Sequence, residues 1–158
     1  MTSPHTPDAI VVPPDEGRTI PGPEGLVVKA ATDDTGGSVA VLEATSPPGF
    51  AAPPHIHHEH DELFYIVEGT FAFVLGDRHV TAPAGSFVFV RRGTMHSPRV
   101  VGPEPGRVLT AFVPGGAERA FDDFAALAAE MGDDFDPNGE RAQAIARSYA
   151  SELVDRPA

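Results

Sequence analysis

The sequence predicts an all-β domain, a sandwich or barrel, on three observations. Between Gly25 and Val113 the chain breaks into short apolar runs, each bounded by turn residues. About eight such runs follow one another at the spacing of sandwich or barrel strands. Hydrophobic residues make up 41% of 158 positions, enough for one buried core, while 17 Pro and 16 Gly supply the turns without reaching a disordered composition.

Taken in order, residues 1–24 hold prolines at 4, 7, 13, 14, 21 and 23. Each lacks a backbone donor, so this segment is expected to be an extended arm in which Ile10-Val11-Val12 could add one edge strand. Strands are expected over 26–31, 39–44, 63–67, 71–75, 78–81, 87–90, 96–101 and 108–113, separated by signals such as Pro47-Pro48-Gly49, Gly76-Asp77 and Pro83-Ala84-Gly85. After Pro114-Gly115-Gly116 the period changes. Ala117, Ala120, Phe121, Phe124, Leu127, Ala128 and Met131 fall at steps of three and four, one face of a helix. Asp136-Pro137 is expected to open a second helix, with Ala142, Ile145, Ala146, Tyr149 and Leu153 on its apolar side. The organisation that follows is an arm over 1–24, a barrel over 25–114 and a helical extension over 115–158 that covers it.

Charge and cysteine content narrow the function. Eleven basic against 23 acidic residues give a net charge of −12 with no basic block, which argues against a nucleic-acid partner. No apolar run approaches membrane-spanning length and no basic-then-hydrophobic leader opens the chain, so a cytoplasmic protein without a membrane partner is expected. Cysteine is absent, which leaves nitrogen and oxygen as the donors for any metal.

Six consecutive residues, His55-Ile56-His57-His58-Glu59-His60, carry four of the seven histidines, and Glu62 follows. On a strand His55 and His57 project from one face, where two imidazoles can share a cation. Continued alternation would send Glu62 to the opposite face, so a turn through 58–61 is needed to bring it back from the next strand. His96, just after the turn-like Arg92-Gly93-Thr94, is the candidate fourth ligand. Three neutral imidazoles and a carboxylate suit a first-row divalent ion and leave coordination positions open to water, oxygen or a chelating substrate.

At these residues the sequence resembles the cupin family. The first family motif is met by Gly49, His55, His57, Glu62 and Gly69 at the family's spacing, and the second by Gly85, Gly93 and His96, with Arg91 where Pro is usual and Val100 where Asn is usual. The resemblance covers roughly residues 36–114; the Phe-rich tail looks more loosely like that of small quercetinase-like bacterial cupins. It implies a double-stranded β-helix, or jelly roll, often a homodimer, with one divalent transition metal ion (Fe, Mn, Ni, Cu or Zn) held by His55, His57, Glu62 and His96. The implied activity is a metal-dependent dioxygenase acting on a small aromatic or enolisable oxygenated substrate, with Glu62 doubling as catalytic base. Two alternatives stay open: a non-redox cyclase, isomerase or decarboxylase on the same metal, and a small-molecule-binding cupin without turnover.

The remaining polar and aromatic residues have plainer expectations. Strand parity sends His58 and His60 to solvent and leaves them as substitute ligands only, and His79 reads as a surface residue. His5 carries no inferable role. Phe64, Phe71, Phe73, Phe87, Phe89 and Phe112 are expected to fill the core, with Phe64, Ile66, Pro98 and Val100 pointing inward. Arg91 and Arg92 read as solubilising surface, and Asp122, Asp123, Asp133 and Asp134 as solvated helix faces.

Overall fold

A computed structural model of the chain describes residues 7–155, so His5 lies outside the described residues. The strands are β1 (Arg18–Ile20), β2 (Leu26–Ala30), β3 (Ala40–Ser46), β4 (His55–His57), β5 (Asp61–Glu68), β6 (Thr70–Leu75), β7 (Arg78–Pro83), β8 (Phe87–Val90), β9 (His96–Val101) and β10 (Gly106–Val113). Two helices follow, α1 (Arg119–Met131) and α2 (Glu140–Ser148), and then a last strand, β11 (Ser151–Leu153). Every strand pairing is antiparallel. One sheet runs β1-β2-β3-β10-β5-β8 and the other β11-β4-β9-β6-β7, the double-stranded β-helix that the motifs imply.

The core lies between the sheets. Period-two alternation puts Phe64 and Ile66 of β5, Phe71 and Phe73 of β6, Val100 of β9 and Phe112 of β10 inside. Phe64 and Phe73 meet edge to face at 5.1 Å between ring centroids. Phe87 and Phe89 depart from the expected core: they are 61% and 48% exposed on the outer face of β8, because their neighbours Val88 and Val90 take the inward positions. Alternation therefore splits this run, and only its two valines are buried.

Both ends of the chain differ from expectation. Residues 10–12 form no strand, since Pro13 and Pro14 follow at once without donors. The Lys29 ammonium instead binds the Pro13, Pro14 and Glu16 carbonyls at 3.0, 2.9 and 2.7 Å, and the arm joins the sheet through β1. At the other end Asp136–Gly139 is a turn, closed by Gly139 N donating to Asp136 O, so α2 begins at Glu140. It stops at Ser148; Ala150 takes a left-handed φ of 54°, and Leu153 lies on β11, not on the helix.

The helices pack their apolar side over the barrel opening. Ala120 and Leu127 of α1 and Ala142 and Ala146 of α2 are buried, and the Phe121 ring stands 6.3 Å from that of Phe112. Asp122 and Asp123 are not simply solvated. Arg18 binds Asp122 through two nitrogens at 2.6 and 3.0 Å, and the Tyr149 hydroxyl donates to Asp123, so both carboxylates tie the helices to other segments. No helix among the described residues is long and apolar enough to cross a membrane.

Candidate metal centre

The site forms where the chain passes from one sheet to the other. β4 belongs to the five-stranded sheet and β5 to the six-stranded sheet, and the link over residues 58–60 carries the chain across. This crossing is the turn that strand parity requires, and it aims Glu62 at His57 from the opposite wall. His96 is set directly across from His55 by the β4–β9 register. The ligand atoms of His55, His57, Glu62 and His96 all lie within 4.8 Å of one another. Glu62 and His96 are 5% and 1% exposed.

Each imidazole presents the same nitrogen to the centre. His55 Nδ1–H donates to Pro53 O at 2.7 Å and His96 Nδ1–H to Thr94 O at 3.0 Å, because a carbonyl can only accept. His57 Nδ1 lies 2.8 Å from Ser151 Oγ, whose own proton goes to Tyr149 O, so the hydroxyl accepts from His57. All three rings are thereby held with Nε2 inward. Such outer partners orient imidazoles for metal binding.

The electrostatics suit a cation. Burial, then the neighbouring His96 and His57, push the His55 pKa down to about 3, so this ring is neutral at any ordinary pH. Burial alone would raise Glu62, but hydrogen bonds from His57 and His96 outweigh it and hold the carboxyl well below its usual range. The corresponding contacts are 3.2 Å from His57 Nε2 and 2.7 Å from His96 Nε2, both to Glu62 Oε2. Burial works against a charged His96, yet Glu62 and the Thr94 carbonyl outweigh it and raise its pKa. A proton shared near Glu62 thus sits where a divalent ion would satisfy the same nitrogen and oxygen donors, and these four residues could hold one.

A cavity of about 220 Å³ opens from His55, His57 and Glu62. Its walls are apolar: Leu42, Phe64, Phe71 and Val108 from the sheets, Phe121 and Phe124 from α1. An engineered cavity of ~150 Å³ holds benzene, so the volume here suits a molecule of one or two rings.

Residues 42–112 match the family model described as the cupin domain. This part of the chain is a cupin domain. The chain is also 29% identical over 83 residues to "Quercetin 2,3-dioxygenase" of Bacillus subtilis (strain 168), a match over 52% of this chain and 25% of that protein. The aligned region thus spans about a quarter of the curated relative's length. Among solved structures, a "predicted oxalate decarboxylase" from Thermotoga maritima superposes with a TM-score of 0.60 at 21% identity, covering 66% of this chain and 99% of that one. KdgF from Halomonas sp. gives a TM-score of 0.52 at 23% identity, covering 58% and 81%. At these identities the likeness is one of fold.

Within the cupin domain, His58 is exposed and pairs with Glu152 at 3.1 Å, and His79 is exposed. His60 corrects the parity expectation: it is 8% exposed, its Nδ1–H donates to Pro114 O at 2.9 Å, and its ring packs on Gly116. The crossing between sheets ends alternation at His58, so parity no longer governs His60. Arg92 is more than solubilising surface. Its backbone N–H and guanidinium bind Asp61 at 2.9 to 3.2 Å and fasten the start of β5 beside Glu62. Ser151 was not among the sequence candidates, for it reaches His57 from 94 residues away with no motif around it.

Proposed function

We propose that this cupin domain is a metal-dependent oxygenase of the quercetinase-like type, acting on a small aromatic or enolisable oxygenated molecule. The observation that carries this reading is the convergence of His55, His57, Glu62 and His96 at one end of a largely apolar cavity. In this reading the four residues are the metal ligands, the barrel is the catalytic domain, and the extension over 115–158 is its cap. A redox-active first-row ion would supply Lewis acidity toward a substrate hydroxyl and an electron path to dioxygen.

The chain's own groups do the rest. The Nδ1 partners of His55, His57 and His96 hold each ring with Nε2 toward the centre, and the aromatic walls exclude water from the reacting end. Glu62 is ionised while His57 and His96 donate to it. On loosening from them it loses the contacts that depress its pKa, burial then dominates, and the carboxylate becomes a stronger base able to take the substrate hydroxyl proton.

The test is oxygen uptake and substrate loss with catechols, β-diketones and flavonols, using protein with its native metal; the cavity volume favours the one- and two-ring members. Matched uptake and loss is the expected result. Loss without uptake selects a non-redox isomerase or decarboxylase, and binding without loss selects a sensor. A native zinc-only protein would also sink the oxygenase, because zinc has no redox chemistry.

The same reading includes a homodimer. Tyr65, Phe87, Phe89, Leu109 and Val113 are exposed on the outer face of the six-stranded sheet, and β-pairing puts Tyr65 beside both Phe87 and Leu109. None of the five is charged, so two acidic chains can meet there with least repulsion.

A further inference from the structure

The cavity has a second polar end, which the metal chemistry does not use. Glu24 and Ser46 line it there, away from His57 and Glu62. The separation follows from register: on β10, Phe112 pairs with Glu62 whereas Gly106 pairs with Ser46. At ~3.3 Å per residue those positions lie about 20 Å apart along the strand. The interval is lined by apolar side chains, among them Leu42, Ala44 and Val108, with Thr110 as a polar exception.

Glu24 is held in place by a tight turn between β1 and β2. Gly25 N donates to Gly22 O at 3.4 Å, Thr45 N to Gly25 O at 3.2 Å, and Ser46 Oγ to the Glu24 carbonyl at 3.2 Å. Gly25 has φ of 57°, and any side chain there would run into Thr45 O. A side chain at Gly22 would stand 2.8 Å from Glu24 Oε2, so the bare glycine leaves room for the carboxyl. Among the described residues the Glu24 carboxyl has no cation beside it and no side-chain donor; its only hydrogen bond is from its own backbone N–H. Burial raises its pKa. A half-buried carboxyl whose one donor is its own backbone N–H keeps acceptor capacity to spare, and at the wall of a largely apolar cavity it favours a ligand that brings a donor.

We propose that Glu24 is a specificity-determining residue: the cavity takes an elongated molecule, two rings joined by a short chain, whose chelating oxygens sit among His55, His57, Glu62 and His96 and whose far end carries a hydroxyl that donates to Glu24. The chelating half rests on the oxygenase reading, while the hydroxyl half stands on the geometry of the turn.

The experiment separates the two. Binding of 4-propylphenol and of propylbenzene is measured by calorimetry to the metal-loaded wild type, Glu24→Leu and Glu24→Gln. In the wild type the phenol should bind about tenfold more tightly than the hydrocarbon, since a site with a spare acceptor discriminates against a ligand lacking the hydroxyl. That gap should vanish in Glu24→Leu and largely persist in Glu24→Gln, whose amide oxygen still accepts. A gap that survives in Glu24→Leu would mean that the hydroxyl is read elsewhere, at the metal for instance, and overturns the proposal. So does equal weakening of both ligands in either variant, which would mark Glu24 as structural, or the absence of a gap in the wild type. If no substrate drives oxygen uptake but the phenol preference depends on Glu24 as described, the oxygenase reading fails and this inference stands.

Discussion

Ser151 decides which nitrogen of His57 faces the cavity. Removing its hydroxyl leaves a buried Nδ1–H without an acceptor and frees the ring to change tautomer or turn. Ser151→Ala is therefore expected to weaken metal binding about 10- to 100-fold, measured by competition with a chelator. His57→Ala and His96→Ala should instead strip most of the metal while the far-ultraviolet circular dichroism of the barrel stays unchanged; full metal occupancy in both would rule these ligands out. The four convergent residues were readable in advance because three of them sit on a local spacing and the fourth follows a turn signal. Ser151 and the burial of His60 were not, because each depends on a contact with a segment more than fifty residues away.

One buried carboxylate anchors the start of the cap to the barrel. Glu118, 1% exposed at the start of α1, accepts from Thr32 N at 2.8 Å, from the Thr32 hydroxyl and from Gly116 N at 3.0 Å. The surface pair Arg119–Asp33 adds little by comparison. Burial would raise the Glu118 pKa, but these donors outweigh it and leave it below the ordinary 4.5. The unfolded chain then binds the proton more readily than the folded one. The stability that Glu118 confers is present above pH 4.5 and is lost as pH falls through the lower folded value. Glu118→Gln should consequently flatten the acid limb of a Tm-versus-pH curve, and an unaltered limb would show that the carboxylate is not the anchor. Glu118→Ala, which orphans the buried Thr32 N–H, should cost about 1–3 kcal/mol in denaturant unfolding at neutral pH. The end of α2 shows why element boundaries escaped the sequence reading. Tyr149 and Leu153 keep helical spacing, yet the open edge of β4 pairs with residues 151–153, and this non-local ladder overrides the periodicity.

For the whole molecule, the uncovered aromatic face predicts the assembly state. Light scattering behind size exclusion should give twice the 16.6 kDa chain mass, and Tyr65→Lys with Phe87→Lys should give a folded monomer. A monomeric wild type would overturn the homodimer. Strand punctuation, alternation and motif spacing are short-range properties, written in residues a few positions apart, and they suffice to specify a rolled β-sheet with three imidazoles and a carboxylate near one another. The pairing of β4 with β11, the seat of His60 under Pro114, the outward turn of Phe87 and the approach of Glu24 to the cavity are long-range. They follow from which surfaces remain to be covered once the sheets have closed, a competition among distant segments that no local pattern encodes.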